Sequence, residues 1–167
     1  MHRINTLVIM LLVICAGLVQ VTAFSYMEIL GVKPDILLVL VVFISLSCYK
    51  PEMLKASILA GLAKDITSSS VLGSYALSFL LVGLFLNYHQ NKFYREKAST
   101  QVILGFCSYL FVSMLVFWLN ALAHRELSIS YLFFNILIKG AFYTAIISPA
   151  VFFIASKILR IRLAQVL

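Results

Sequence analysis

Charged side chains are scarce in this chain: Asp, Glu, Lys and Arg make up 11% of its 167 residues, against roughly 25% in an average soluble domain. Hydrophobic residues reach 63%, where about 45–50% is usual, and the mean hydropathy is +1.06. That leaves too little polar surface to coat a water-soluble globule, so lipid is the expected solvent. Cysteine is equally sparse. Cys15, Cys48 and Cys107 all fall inside apolar runs, with no CxxC or Cys/His spacing, which excludes a thiolate metal site and predicts small buried hydrophobes. There is no Gly-rich phosphate loop, no GxSxG and no pair of carboxylates sharing a helix face. His2, His89 and His124 stand near the ends of apolar runs on both sides of the expected membrane and cannot easily converge. Neither catalysis nor a cofactor or metal is expected.

What is abundant is positive charge, a net +7, which raises the question of nucleic acid. The cations sit in short clusters between apolar runs, the distribution of topogenic charge rather than of a phosphate-tracking stripe, so no nucleic-acid partner is expected.

Six apolar runs divide the chain, giving spans of about 7–27, 34–49, 53–69, 71–88, 102–123 and 131–156. The first follows His2 and Arg3. It is longer than a signal-peptide core and further runs follow, so it reads as an uncleaved helix; bulky Ile14 before Cys15 argues against a lipoprotein site. The second run starts at Lys33-Pro34-Asp35, where Pro34 suits a first helical turn and Asp35 suits the positive end of the helix dipole. The second and third runs are too short for a ~30 Å hydrocarbon core unless tilted, sheltered by longer neighbours, or re-entrant. The expectation is an all-α integral membrane protein forming a single transmembrane domain over residues 1–167, with six helices, two of them short.

Charge orients these spans. With six crossings and the N-terminus inside, the cytoplasmic side carries nine cations: Arg3, Lys50, Lys55, Lys92, Arg95, Lys97, Lys157, Arg160 and Arg162. Only Lys33 and Arg125 lie outside, while Lys64 and Lys139 are left in or near the membrane. If the third run did not cross, eight cations would lie outside, against the positive-inside tendency. A multi-pass protein of the bacterial cytoplasmic (inner) membrane with both termini inside is therefore expected.

Intramembrane charges are functional candidates by default. Lys64 and Asp65 close the third run and precede Thr67-Ser68-Ser69-Ser70 and Gly73. Asp65 is expected either to bond this turn and cap the next helix, where Asn would serve nearly as well, or to contact a partner. Lys139, inside the sixth run, is expected to snorkel or to pair with Asp65 or Glu126. Ser148-Pro149 should kink the sixth helix, with Ser148 helping to satisfy the carbonyl that proline frees. Small residues four apart (Ala56 and Ala60, Ser57 and Gly61, Ala141 and Ala145) predict close helix packing.

Lys33-Pro34-Asp35-Ile36-Leu37-Leu38-Val39-Leu40 is followed about 20 residues later by Gly61-Leu62-Ala63-Lys64-Asp65-Ile66-Thr67-Ser68-Ser69-Ser70-Val71-Leu72-Gly73-Ser74-Tyr75-Ala76-Leu77. This resembles the rod shape-determining MreD family, whose members carry a Pro-Asp or Pro-Asn start to the second helix and a G-L-x-x-D-x-x-S-x-x-x-L-G-x-x-A-L stretch. Val71 stands where the family often has proline. The resemblance implies a non-enzymatic subunit of the cell-elongation machinery that supports cell shape and peptidoglycan synthesis by binding the bitopic protein MreC. It would work alongside MreB, RodA and a class B penicillin-binding protein. It also implies a bundle like the S-components of energy-coupling-factor transporters, and so an alternative function in vitamin or small-molecule uptake. The first helix offers Ala16 and Ala23 but not the Ala-x-x-x-Ala with which S-components dock their transport module. The candidate partner-contact or structural residues are Lys33, Pro34, Asp35, Lys64, Asp65, Gly73 and Lys139.

Overall fold

The computed structural model describes residues 6–22, 32–68, 70–93, 97–123 and 131–159, of which 6 and 131–136 contribute backbone only. Six α-helices and one 3-10 turn follow in order: α1 (Thr6–Thr22), α2 (Ile36–Ser47), α3 (Lys50–Thr67), α4 (Ser74–Tyr88), the turn Gln90–Lys92, α5 (Ala98–Leu122) and α6 (Tyr131–Ile158). Among the described residues the architecture is all-helical.

α2 is the axis of the bundle. Its sequence, ILLVLVVFISLS, is apolar around the whole circumference, and every one of its 12 residues is buried. A helix with no polar face has nothing to show to water and must be enclosed. Here the other five helices all pack on it, with Phe43 of α2 set edge-on to Phe152 of α6 at 5.2 Å between ring centroids. The short second run is therefore sheltered by its neighbours, and its lack of length is not presented to lipid.

Small residues set the closest helix approaches. Ala56, Ser57, Ala60 and Gly61 on α3 are all buried, and α3 packs most extensively on α4. At Gly61 an added Cβ would strike the Ala76 backbone, so α3 and α4 meet there main chain to main chain. Ala141 and Ala145 are buried as well, on the α6 face that meets α2 and α5.

The outward faces are apolar too. Leu7, Leu11 and Leu18 of α1, Ile66 of α3, Phe85 of α4 and Trp118 of α5 are each more than half exposed. α5 (25 residues, mean hydropathy 2.3) and Leu137–Ile158 of α6 (22 residues, 1.7) are long and apolar enough to cross a membrane. Only 28% of the α5 segment is buried inside the bundle, whereas the core helix of a soluble protein would be mostly enclosed.

Several expectations need correction. α2 starts at Ile36, so Pro34 precedes the N-cap rather than occupying the first turn. α3 starts at Lys50, earlier than the apolar run, because Pro51 suits a helix start and Glu52 the positive end of its dipole. Cys48 is buried, but Cys15 and Cys107 lie exposed on apolar helix faces, where a small apolar side chain needs no cover. At Pro149, through which α6 continues, the expected role of Ser148 is met. The carbonyl that proline leaves without a donor, Ala145, receives the Ser148 hydroxyl at 2.8 Å, a donor also 3.0 Å from the Gln101 carbonyl.

Candidate functional site

Polar residues within the bundle gather where short helices begin and end. A helix leaves its first N–H groups and last C=O groups without intrahelical partners, and apolar surroundings offer no water to take them. Both ends of α2 and the start of α4 are each met by a side chain from elsewhere.

At the start of α2, Asp35 is the N-cap, with Oδ1 accepting from the Leu38 amide at 3.2 Å. Gln20 of α1 reaches across, its Oε1 accepting from the Leu37 amide at 3.2 Å and its Nε2 at 3.5 Å from Asp35 Oδ1. The Asp35 amide donates to Thr144 Oγ1 of α6 at 3.1 Å. At the end of α2, Asn87 of α4 donates through Nδ2 to the carbonyls of Ser45 (2.8 Å) and Cys48 (3.1 Å).

At the start of α4, Asp65 does the capping from the end of α3. Gly73 takes a left-handed conformation (φ +92°), which turns the chain sharply into the helix. Asp65 Oδ2 accepts from the amides of Gly73 (3.0 Å) and Ala76 (3.2 Å). Its Oδ1 accepts from the Tyr75 amide (3.0 Å) and lies 3.4 Å from the Ser74 hydroxyl. The carboxylate thus takes three main-chain N–H groups at the positive end of a helix dipole while only 2% exposed, and the Ser74 hydroxyl beside it has its shorter contact, 2.7 Å, to the Val71 carbonyl. Asn120 of α5 braces the same turn by accepting from the Val71 amide at 3.0 Å.

One ion pair joins these two capping sites. Lys64 Nζ lies 3.3 Å from Asp35 Oδ2 and 5.7 Å from the centroid of the Tyr75 ring. The Lys64-Asp65 dipeptide at the end of α3 therefore holds two helix starts, α2 through its cation and α4 through its anion. The centre lies deep along α6. Thr144 is 13 residues beyond the first residue of that helix, so about 20 Å of α6 extends past the start of α2.

The structure thus brings together Asp35, Lys64, Asp65 and Gly73. Pro34 is buried beside them, Lys33 is exposed, and Lys139 lies apart on α6, partly exposed and without an ion pair to Asp65. The expected Lys139–Asp65 pair does not form, because both oxygens of Asp65 are taken by α4 and the acid that receives a lysine is Asp35. Glu126, the other expected partner of Lys139, lies outside the described residues. Both oxygens of Asp65 accept main-chain N–H groups, and Asn at this position would turn an NH2 toward one set. Sequence reasoning missed Gln20, Asn87, Asn120 and Thr144. Gln20, Asn120 and Thr144 are polar residues within apolar runs, which was the available signal, whereas Asn87 stands at the polar end of its run and gave none. Among the described residues no three His, Cys, Asp or Glu side chains converge as a metal site would require.

An all-helical bundle with apolar outer faces and two helices of membrane-crossing length defines a membrane-associated helical protein. A family model described as rod shape-determining protein MreD matches residues 1–160, and the chain belongs to that family. Its role therefore lies in rod shape determination. No curated protein and no solved structure matches the chain.

Proposed function

We propose that this chain is a non-enzymatic, six-span scaffold subunit of the cell-elongation complex in the bacterial cytoplasmic membrane, acting on peptidoglycan synthesis through MreC. The observation that carries the reading is the family match across residues 1–160. The disposition of polar groups supports it. Asp35, Asp65 and Lys64 are engaged in capping and ion pairing, which suits a protein that holds shape and presents surfaces. The nine-to-two excess of cations on one set of loops supports six crossings with both termini inside. Enclosure of α2 by the other five helices removes the objection that a 12-residue helix rises only about 18 Å. MreB, RodA and a class B penicillin-binding protein complete the proposed assembly. Co-purification tests it: the tagged full-length chain, extracted from its host in mild detergent, retains MreC. Recovery with ATPase subunits and a bound vitamin instead of MreC would contradict the reading and favour an uptake protein.

A further inference from the structure

Lys64 is held as a ligand is held. Its ammonium sits against a carboxylate on one side and an aromatic face on another, the two groups with which proteins recognise organic cations. The acid is fixed independently of its cation. Asp35 caps α2 through Oδ1, Gln20 lies beside it, and its own amide is anchored on Thr144, so Oδ2 is left aimed at the ammonium. The Tyr75 ring is held without the Lys64 side chain, since it packs edge-on to Phe79 of its own helix at 6.0 Å. The receptor therefore belongs to α2 and α4, while the occupant comes from α3. Their exposures differ in the same sense, with the Lys64 side chain 18% exposed and that of Asp35 only 4%. At 3.3 Å the contact is also longer than the 2.7–2.9 Å of a tight charge-assisted hydrogen bond.

We propose that Asp35 and Tyr75 form a binding site for a primary alkylammonium group, occupied in this chain by the side chain of its own Lys64. A tethered occupant has an effective concentration on the order of mM or higher, so the intact protein does not take up free amines. Removing the tether unmasks the site. Lys64→Ala deletes Cγ, Cδ, Cε and Nζ, which are the heavy atoms of propylammonium.

The test is chemical rescue on the full-length chain purified in detergent. Lys64→Ala lowers Tm, and propylammonium restores at least half of the loss in a saturable manner. Sodium chloride at equal ionic strength and 1-propanol do not. Wild type gives no response, since its site is filled, and Lys64→Ala with Asp35→Asn gives none because the carboxylate is missing. A flat response of Lys64→Ala, or an equal response in the double variant, overturns the proposal. Should Lys64→Ala not survive extraction, the same amines are supplied during extraction and recovery of monodisperse protein is measured. A yield that propylammonium raises and propanol does not supports the site, and a yield indifferent to the amine overturns it.

Discussion

Asp65 holds α4 by both of its oxygens, and this makes the residue less replaceable than a capping acid usually is. An N-cap Asp commonly uses one oxygen on one amide, and Asn can take its place. Here Oδ1 and Oδ2 between them accept three main-chain N–H groups. Asn would satisfy one set and present its own N–H2 to the other, leaving buried donors unpaired. Asp65→Asn is expected to destabilise by about 1–3 kcal/mol, close to the effect of Asp65→Ala, read as a fall in Tm of the purified chain. An Asn variant that melts with wild type would show that one oxygen suffices. The sequence pattern of an acid followed by a Ser-rich turn and Gly73 already pointed to a cap. It could not reveal that both oxygens are used, because that depends on how close α3 lies to the first turn of α4.

That closeness belongs to the elements, and glycine controls it. Gly61 has the Ala76 main chain where a Cβ would be, and backbone cannot swing aside as a long side chain can. Gly61→Ala must part α3 from α4, with an expected loss of about 1–3 kcal/mol by overpacking. The same separation would weaken the Asp65 cap, so the loss belongs at the upper end. Gly17 on α1 is the internal control, since nothing lies within 4 Å of its added Cβ. Gly17→Ala should be neutral or stabilising by up to ~1 kcal/mol, because glycine is the poorer helix former. Thermal melts of the two variants side by side check the pair of predictions. The four-residue spacing of small residues made close packing legible but left the partner helix open. The enclosure of α2 was partly legible too, since ILLVLVVFISLS has no polar face to expose. Its two ends were harder to anticipate. Gln20 and Asn87 reach them from 17 and 42 residues away in the chain, and no local pattern encodes contacts at that range.

Across the whole molecule the helices are of unequal length. α5 and α6 extend about 37 and 42 Å, against about 18 Å for α2, which is possible only because the short helix starts deep and is capped there by protein. Polar intrusions in the apolar runs, the feature that most departs from a simple membrane-span pattern, are what allow it. Overall helix number and apolar character were legible from composition and run length. Which lysine would meet which acid was not, because only Lys139 was expected to pair with an acid, whereas the return of α3 along α2 brings Lys64 to the start of α2. Orientation is checked by reporter fusions after Lys97, Arg125 and Leu167, expected to read cytoplasmic, periplasmic and cytoplasmic in turn; an external signal at Lys97 would contradict a crossing by α3. The central claim is that this bundle serves rod shape. Its most direct measurement is cell width and length during depletion of the chain from its native host, with vitamin requirement followed in parallel. Progressive rounding, reversed by the wild-type chain and without a new vitamin requirement, is the predicted result. Cells that keep their rod form while becoming dependent on an added vitamin would contradict it.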